Sequence, residues 1–306
     1  MVEENNCYFV SSRGILKSCD IFCLQPNSSD YNIRNYNSQL QNNDNYKTIY
    51  ICNTAIPNFI NNHSINMNYK YILISGDCDE TIPNDIFFSL DNFLNFINND
   101  NLIHWYSQNC IINHPKITRI PIGLDYHSMS KCSNDWGPQT LPIHQEESIM
   151  EIIKSNLEKP FWKREVKCYS NFHFSMPSGY KFQYDRLEAL NKVPKELVFY
   201  EEKKISRRNT FKKQCEYAFV LSPHGNGLDC HRTWEALILG CIPIVKTSGI
   251  DSLYDDLPVL IVNDWGDINY ELLENTITKF KNKQFNYNKI TLKYWVEKFN
   301  SHKIIN

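Results

Sequence analysis

The sequence predicts an α/β protein built from two halves that face each other across a cleft. Three observations favour this class: short β-branched apolar runs, helical patterns that alternate with them, and a polar, proline-bearing stretch near the middle of the 306 residues. Short continuous apolar runs are typical of buried parallel strands, and a chain of this length can form two compact domains. Ligands of such folds bind at the carboxyl ends of the strands, so the cleft is the expected site.

The first half has the patterns of four strands and two helices. Strands are predicted at residues 48–52, 71–75, 103–106 and 117–122, and Gly123 closes the last of them. Apolar residues at spacings of three and four predict a helix over 86–97, ended by Asn98 and Asn99, and a weaker pattern predicts a helix over 56–68.

The linker is predicted at residues 128–158, where the sequence becomes polar and proline-bearing around one helical pattern at 146–157. This divides the chain into an N-terminal acceptor-side domain of residues 1–158 and a C-terminal domain of residues 159–306. The second half has predicted strands at 165–169, 217–221, 242–245 and 259–262, a helix at 184–191 and a closing amphipathic helix at 290–299.

The composition excludes several classes of partner. A net charge of −2 and a pI near 6.5 give no electrostatic footprint for nucleic acid. No apolar run reaches the ~18 residues of a transmembrane helix, and the first residues lack a signal-peptide pattern. We therefore expect no membrane span and a cytoplasmic location, in a host cell if the asparagine-rich composition reflects a viral rather than a microbial source. The 11 scattered cysteines contain no CxxC pair, which predicts reduced core thiols.

The sharpest signal lies in residues 217–245, where a strand leads into a loop with two glycines, a helix and a second strand. Asp229 is a natural N-cap and Gly240 a natural stop for this helix. His231 and Arg232 then fall in its first turn, where the helix dipole disfavours cations by ~0.3–1 kcal/mol each. A bound anion would reverse this penalty. Glu235 would face the same cleft and accept hydrogen bonds from sugar hydroxyls.

The alternative interpretation of this helix is an ordinary surface helix. Arg232 and Glu235 would then form an i,i+3 ion pair worth ~0.2–0.5 kcal/mol. The loop Gly225-Asn226-Gly227 matches neither GxGxxG nor a P-loop, which disfavours a dehydrogenase or a kinase.

These motifs resemble a known family. The segment 219–245, with Ser-Pro before the loop, Arg-x-x-Glu-Ala on the helix and Gly-Cys-Ile-Pro-Ile after it, resembles the nucleotide-sugar-binding half of exostosin-like glycosyltransferases and the layout of α1,3-fucosyltransferases. Tyr169-Ser170-Asn171-Phe172, followed by Arg186, resembles the Ser-Asn and Arg elements at the start of the same domain. The resemblance covers residues 163–245.

The resemblance implies a GT-B fold of two facing Rossmann-like domains, with the acceptor, a glycan or a protein, mainly on the first. The donor, a nucleotide-diphosphate sugar such as a UDP-sugar, would bind the second, without an essential metal or other cofactor. By resemblance, Arg186 and Arg232 neutralise the donor diphosphate and Glu235 binds the ribose. The implied donor site is completed by Asn171, Ser222, His224, Gly225, Asn226, Gly227 and His231, with Arg164 and Lys181 as additions.

The proton acceptor for the acceptor hydroxyl stays open among four residues at strand ends, Asp77, Asp79, Asp125 and His127. Two rival functions stay open as well. Asp77-Cys78-Asp79 fits a DxD that would hold Mn²⁺ in a GT-A-like transferase, and a degenerate transferase fold would bind sugar or nucleotide without turnover. The basic run at 203–213, which lies beside Glu201 and Glu202, is predicted to be a solvated face.

Overall fold

The chain folds into two parallel β-sheets with helices packed around them. The computed structural model describes residues 3–33, 47–62, 69–172 and 179–303. The first sheet has the order β1-β2-β3-β4 and the second the order β6-β5-β7-β8-β9, with every neighbouring pair parallel. The predicted α/β class with two halves is therefore confirmed.

The strands lie close to their predicted positions. Those of the first sheet are β1 (Lys47–Cys52), β2 (Tyr71–Gly76), β3 (Leu102–Ser107) and β4 (Ile117–Arg119). Those of the second sheet are β5 (Glu165–Ser170), β6 (Val198–Tyr200), β7 (Tyr217–Leu221), β8 (Ile242–Lys246) and β9 (Leu260–Val262). Strands β2 and β7 are buried along their whole length, as expected of central strands covered on both faces.

Ten α-helices flank the sheets in the described part of the chain. They are α1 (Ser12–Lys17), α2 (Ile56–Asn62), α3 (Leu90–Ile97), α4 (His127–Lys131), α5 (Pro142–Ser155), α6 (Gln183–Lys192), α7 (Arg207–Gln214), α8 (His231–Ile238), α9 (Tyr270–Lys281) and α10 (Leu292–Ser301).

Capping residues explain where the helices depart from prediction. The helix predicted over 86–97 begins only at Leu90, because the Ser89 hydroxyl caps it by accepting from the Asn92 amide at 3.2 Å. The linker helix begins earlier than predicted, with Pro142 in its first turn, where a missing N–H costs nothing. The helix predicted over 56–68 is described only to Asn62, and residues 63–68 lie outside the described residues.

The N-cap predicted for α8 is wrong, whereas its stop signal is confirmed. Cys230 occupies the cap position without a side-chain cap, and Asp229 makes other contacts. Gly240 has a φ of +71°, the left-handed conformation that lets a helix end there.

The two halves share a continuous interior. Trp105, Trp234, Trp265 and Trp295 are fully buried, and all 11 cysteines are free thiols, most of them buried, as predicted. The final helix, α10, packs on the first half: the Tyr106 hydroxyl donates to the Lys298 carbonyl at 3.0 Å, and the rings of Tyr106 and Phe299 are 4.6 Å apart. The domain boundary at residue 158 stays a prediction; it falls between α5 and β5.

None of the helices described is both long and apolar enough to cross a membrane.

Candidate functional site

A cavity of about 950 Å³ lies between the two halves, beyond the carboxyl ends of the strands. The first half contributes Asp79, Ile122, Asp125, Ser128 and Trp136 to its wall. The second half contributes the loop after β7, the first turn of α8, the first turn of α7 and the segment after β6. The volume is at the upper end of the range for small-molecule sites, ~300–1,000 Å³.

The glycine-bearing loop after β7 forms one wall and comes close to the first half. The Gly225 amide donates to the Gly227 carbonyl at 3.1 Å, which closes a tight turn. A Cβ on Gly227 would lie 3.0 Å from Asn109 Nδ2 and 3.1 Å from the backbone of Asp79. Glycine at 227 therefore lets the loop backbone touch the opposite half directly.

Two arginines project from this half into the cavity. Arg186, on α6, donates from Nε to the His224 carbonyl at 3.3 Å, and Arg232, on α8, donates from Nη2 to the Pro223 carbonyl at 2.7 Å. Burial and the neighbouring charge of Arg232 lower the pKa of Arg186 to about 10. Among the described residues, the buried Nε of Arg232 has no hydrogen-bond partner. Two like charges held together in this way favour an anion between them.

A third arginine, Arg207, lines the cavity, although the sequence predicts that its segment is a solvated face. Arg207 donates from Nη2 to Glu235 Oε1 at 2.7 Å and from Nη1 to the Asp125 carbonyl. Its guanidinium lies between two rings, 5.3 Å from the centre of Trp136 and 5.5 Å from that of Phe211.

Two expectations for this region are corrected. Glu235 pairs with Arg207 and not with Arg232, so the i,i+3 pair is wrong. The basic run is also not simply a solvated face, because Lys203, Lys204 and Arg207 line the cavity. Like Arg232, Arg207 is a cation in the first turn of a helix, since it is the first residue of α7.

Asp125 faces the cavity from the first half. Its Oδ1 accepts from the Ser128 amide at 2.9 Å and lies 3.0 Å from His127 Nδ1. Burial opposes ionisation of this carboxyl. The contact with His127 and the charges of His231, His127 and Arg207 outweigh burial and hold its pKa well below the usual range.

The structure does not bring Asp77 to the cavity. Its Oδ2 lies 2.9 Å from Arg13 Nη2, and both side chains are at most 4% exposed. Asp79, by contrast, lines the cavity and accepts from Asn226 Nδ2 at 3.2 Å. The two carboxylates therefore have separate partners, and the catalytic role of Asp77 and the shared DxD metal stay predictions. Within the described ranges, no three His, Cys, Asp or Glu side chains are grouped to hold a metal ion.

Of the predicted donor-site residues, Asn171, Arg186, Gly225, Asn226, Gly227, His231, Arg232 and Glu235 line the cavity. The side chains or backbone of the other four make contacts with other protein groups instead. Arg164 donates to the Leu239 carbonyl at 2.9 Å, at the far end of α8, and Lys181 pairs with Asp85. Ser222 Oγ lies 2.8 Å from Thr233 Oγ1, and the His224 amide donates to Asp185 Oδ2 at 2.8 Å.

Asp229 joins the two halves. Its carboxylate accepts from the Ile122 amide of the first half at 2.7 Å, and from Trp234 Nε1 and the Tyr254 hydroxyl of the second. Burial raises its pKa to about 6. The residue that the sequence offered as a helix cap is therefore an interdomain contact.

No protein-family model and no curated protein matches this sequence. Solved structures match it at low identity. An α1,3-fucosyltransferase is 15% identical, with 87% of this chain and 79% of that one covered and a TM-score of 0.41. OtsA in its apo form is 13% identical, with 87% and 74% covered and a TM-score of 0.45. An E. coli structure described as trehalose-6-phosphate bound with UDP-2-fluoro glucose is 10% identical, with 86% and 69% covered and a TM-score of 0.36. The exostosin-like resemblance stays a prediction.

Proposed function

We propose that this protein is a glycosyltransferase that moves a sugar from a nucleoside-diphosphate sugar to a glycan or protein acceptor. One observation carries the proposal: Arg186 and Arg232 lie together at the rim of a glycine-bearing loop, in a cavity between two parallel sheets. Their mutual repulsion is a cost that a bound diphosphate would remove.

The chemistry follows from where charge develops. As the bond between the sugar and the diphosphate breaks, negative charge builds on the leaving diphosphate, and fixed cations and N–H groups around it stabilise that charge. Arg186, Arg232 and the backbone of Gly225 to Gly227 are the groups that supply this environment. We propose that no divalent metal is needed, because the two arginines already provide the positive charge.

The pairing of Arg207 with Glu235 modifies the predicted ribose contact. An ionised carboxylate held at 2.7 Å by Arg207 keeps lone pairs available for hydroxyl donors, in a fixed orientation. Glu235 would then bind the donor ribose while Arg207 prevents the carboxylate from turning towards Arg232. The acceptor would lie on the opposite wall, near Asp125 and Trp136.

Thermal-shift measurements test this function. Wild-type protein is screened against UDP, GDP, CMP and their sugar conjugates, with and without EDTA. We expect one nucleotide diphosphate to raise the melting temperature, because a ligand at 100 times its Kd adds ~2.7 kcal/mol to the folded state. The shift should survive EDTA and disappear in Arg232→Ala. Arg208→Ala is the matched control, since Arg208 pairs with Glu151 at the surface.

Each result has a clear meaning. Binding followed by release of nucleoside diphosphate from the matching donor supports a transferase. Binding without any turnover supports the degenerate binding protein instead. A shift that requires Mg²⁺ or Mn²⁺ contradicts metal independence, and no shift with any nucleotide overturns the proposal.

A further inference from the structure

We infer that His231 is the group that takes the proton from the attacking hydroxyl in the proposed transfer reaction. The inference rests on the proposed function and assigns a proton acceptor to the same cavity. It moves the proton acceptor from the first half, where the sequence offered four candidates, to the first turn of α8, beside Arg232.

The contact of His231 with the opposite half fixes which ring nitrogen carries the proton. His231 Nδ1 lies 2.7 Å from the carbonyl oxygen of Gly123. A carbonyl oxygen only accepts, so Nδ1 must donate, and in the neutral ring the lone pair is then on Nε2. His231 lines the cavity. The cavity wall thus carries an imidazole in the tautomer that can accept a proton at its outer nitrogen.

The surroundings of the ring contain charges of both signs. Asp125 is held in its ionised form by His127, His231 and Arg207, and by the same attraction its negative charge stabilises a His231 imidazolium. The rings of His127 and His231 lie 6.4 Å apart, with Asp125 next to His127. The charge of Arg207 is paired with Glu235, whereas Arg232, which donates to the neutral Pro223 carbonyl, keeps its charge and opposes a second cation beside it, as the helix dipole does.

The other candidates are less suited to the task. The low pKa of Asp125 makes it a weak base, because efficient proton transfer needs a base whose pKa is near the working pH. His127 directs Nδ1 at Asp125 and does not line the cavity, so it acts as a positioning residue. Asp77 is sealed against Arg13, and Asp79 is engaged by Asn226.

The acceptor oxygen forms a bond to the anomeric carbon of the donor sugar while its proton passes to His231 Nε2. The bond from the anomeric carbon to the diphosphate oxygen breaks, and its electron pair leaves with the nucleoside diphosphate. The new negative charge meets Arg186 and Arg232. The imidazolium then returns its proton to water.

The test uses His231→Asn in the full chain, because the asparagine amide can still donate to the Gly123 carbonyl while the Nε2 acceptor is lost. His144→Asn is the matched control, since His144 is 60% exposed and pairs with Glu147 on α5. Release of nucleoside diphosphate is measured from UDP-glucose, UDP-N-acetylglucosamine, GDP-mannose and GDP-fucose, with water, ethanol or trifluoroethanol as acceptor. Binding of UDP and GDP is measured on the same samples.

We expect His231→Asn to lower turnover at least ~10²-fold, the usual contribution of a general base. Because this role replaces the donor-binding role that the resemblance implies for His231, nucleotide affinity should stay within about twofold of wild type. The loss should be smaller with trifluoroethanol than with ethanol, because the more acidic hydroxyl depends less on a base. A purely structural role would not make the loss depend on the acidity of the acceptor hydroxyl.

A second measurement does not depend on turnover. In protein labelled with ¹⁵N-histidine, the signals that disappear in His231→Asn should report a ring protonated at Nδ1. A ring protonated at Nε2 would overturn the inference, as would turnover in His231→Asn within threefold of wild type. If wild-type protein binds none of the nucleotides, the proposed function fails, and the inference about His231 fails with it. If wild type and His231→Asn both bind nucleotide but turn over at the same rate, only the inference about His231 fails.

Discussion

The two halves of the molecule use arginine and aspartate in opposite ways. In the first half, Arg13 and Asp77 meet at 2.9 Å and neutralise each other in the interior. In the second half, Arg186 and Arg232 lie side by side at the cavity, and burial together with the charge of Arg232 lowers the pKa of Arg186. A buried pair of opposite charges is a structural element, whereas neighbouring like charges at a cavity indicate a binding site for a ligand of the opposite charge.

The largest effect is expected when the buried ion pair between Arg13 and Asp77 is broken. Arg13→Ala leaves the Asp77 carboxyl buried without its partner, and the free energy of unfolding should fall by about 3–5 kcal/mol. Chemical denaturation of the wild type and the variant measures this. The double variant Arg13→Met with Asp77→Asn should recover most of the loss, because neither position is then charged. If Arg13→Ala instead abolished nucleotide binding in protein that is still folded, the contrast between the halves would be wrong.

A smaller effect concerns the carboxyl that joins the two halves. Burial raises the pKa of Asp229 from 3.8 to about 6, so the folded state keeps this proton at a higher pH than the unfolded state does. The contribution of Asp229 to stability is therefore greatest below about pH 4 and is lost as the pH rises to 6. Between pH 4 and 7, the wild type should lose about 2–3 kcal/mol of unfolding free energy relative to Asp229→Asn. Parallel stability profiles would show that Asp229 is ionised in the fold throughout.

The smallest effect is expected for an arginine of the second half whose role is structural, like that of the Arg13–Asp77 pair. Arg164 holds the carbonyl of Leu239 at the far end of α8, away from the cavity. Arg164→Ala should leave nucleotide affinity within about twofold, because the guanidinium donates to the Lys159 and Leu239 carbonyls and to Cys241 Sγ and is not among the residues that line the cavity. A tenfold loss of affinity would place Arg164 in the donor site after all and would remove the distinction drawn between these arginines.

Local sequence signals predicted the parts of the molecule that local forces determine. The apolar run of β7, the first turn of α8 and the left-handed Gly240 all follow from residues within about one helix length of each other. The sequence therefore predicts correctly that Arg232 and the glycine-bearing loop follow the carboxyl end of β7 in the second sheet.

The contacts that were missed join residues far apart in the chain. Asp229 accepts from Ile122, which precedes it by 107 positions, and His231 meets Gly123, 108 positions away. Arg207 reaches Glu235 across 28 positions because α7 and α8 flank the same cavity. No periodicity or capping rule includes such pairs, so the sequence predicts a cap at Asp229 and a solvated surface around Arg207.

The return of α10 to the first half has a mechanical consequence. The backbone passes between the halves once before β5 and again between α9, which packs near β5, and α10, which packs near α1. The amide of Val10 donates to the carbonyl of Ile290 at 3.0 Å, which anchors the second passage beside the N-terminal segment. A single chain connection would allow one half to rotate in any direction relative to the other. Two connections restrict any movement between the halves to rotation about the line that joins them.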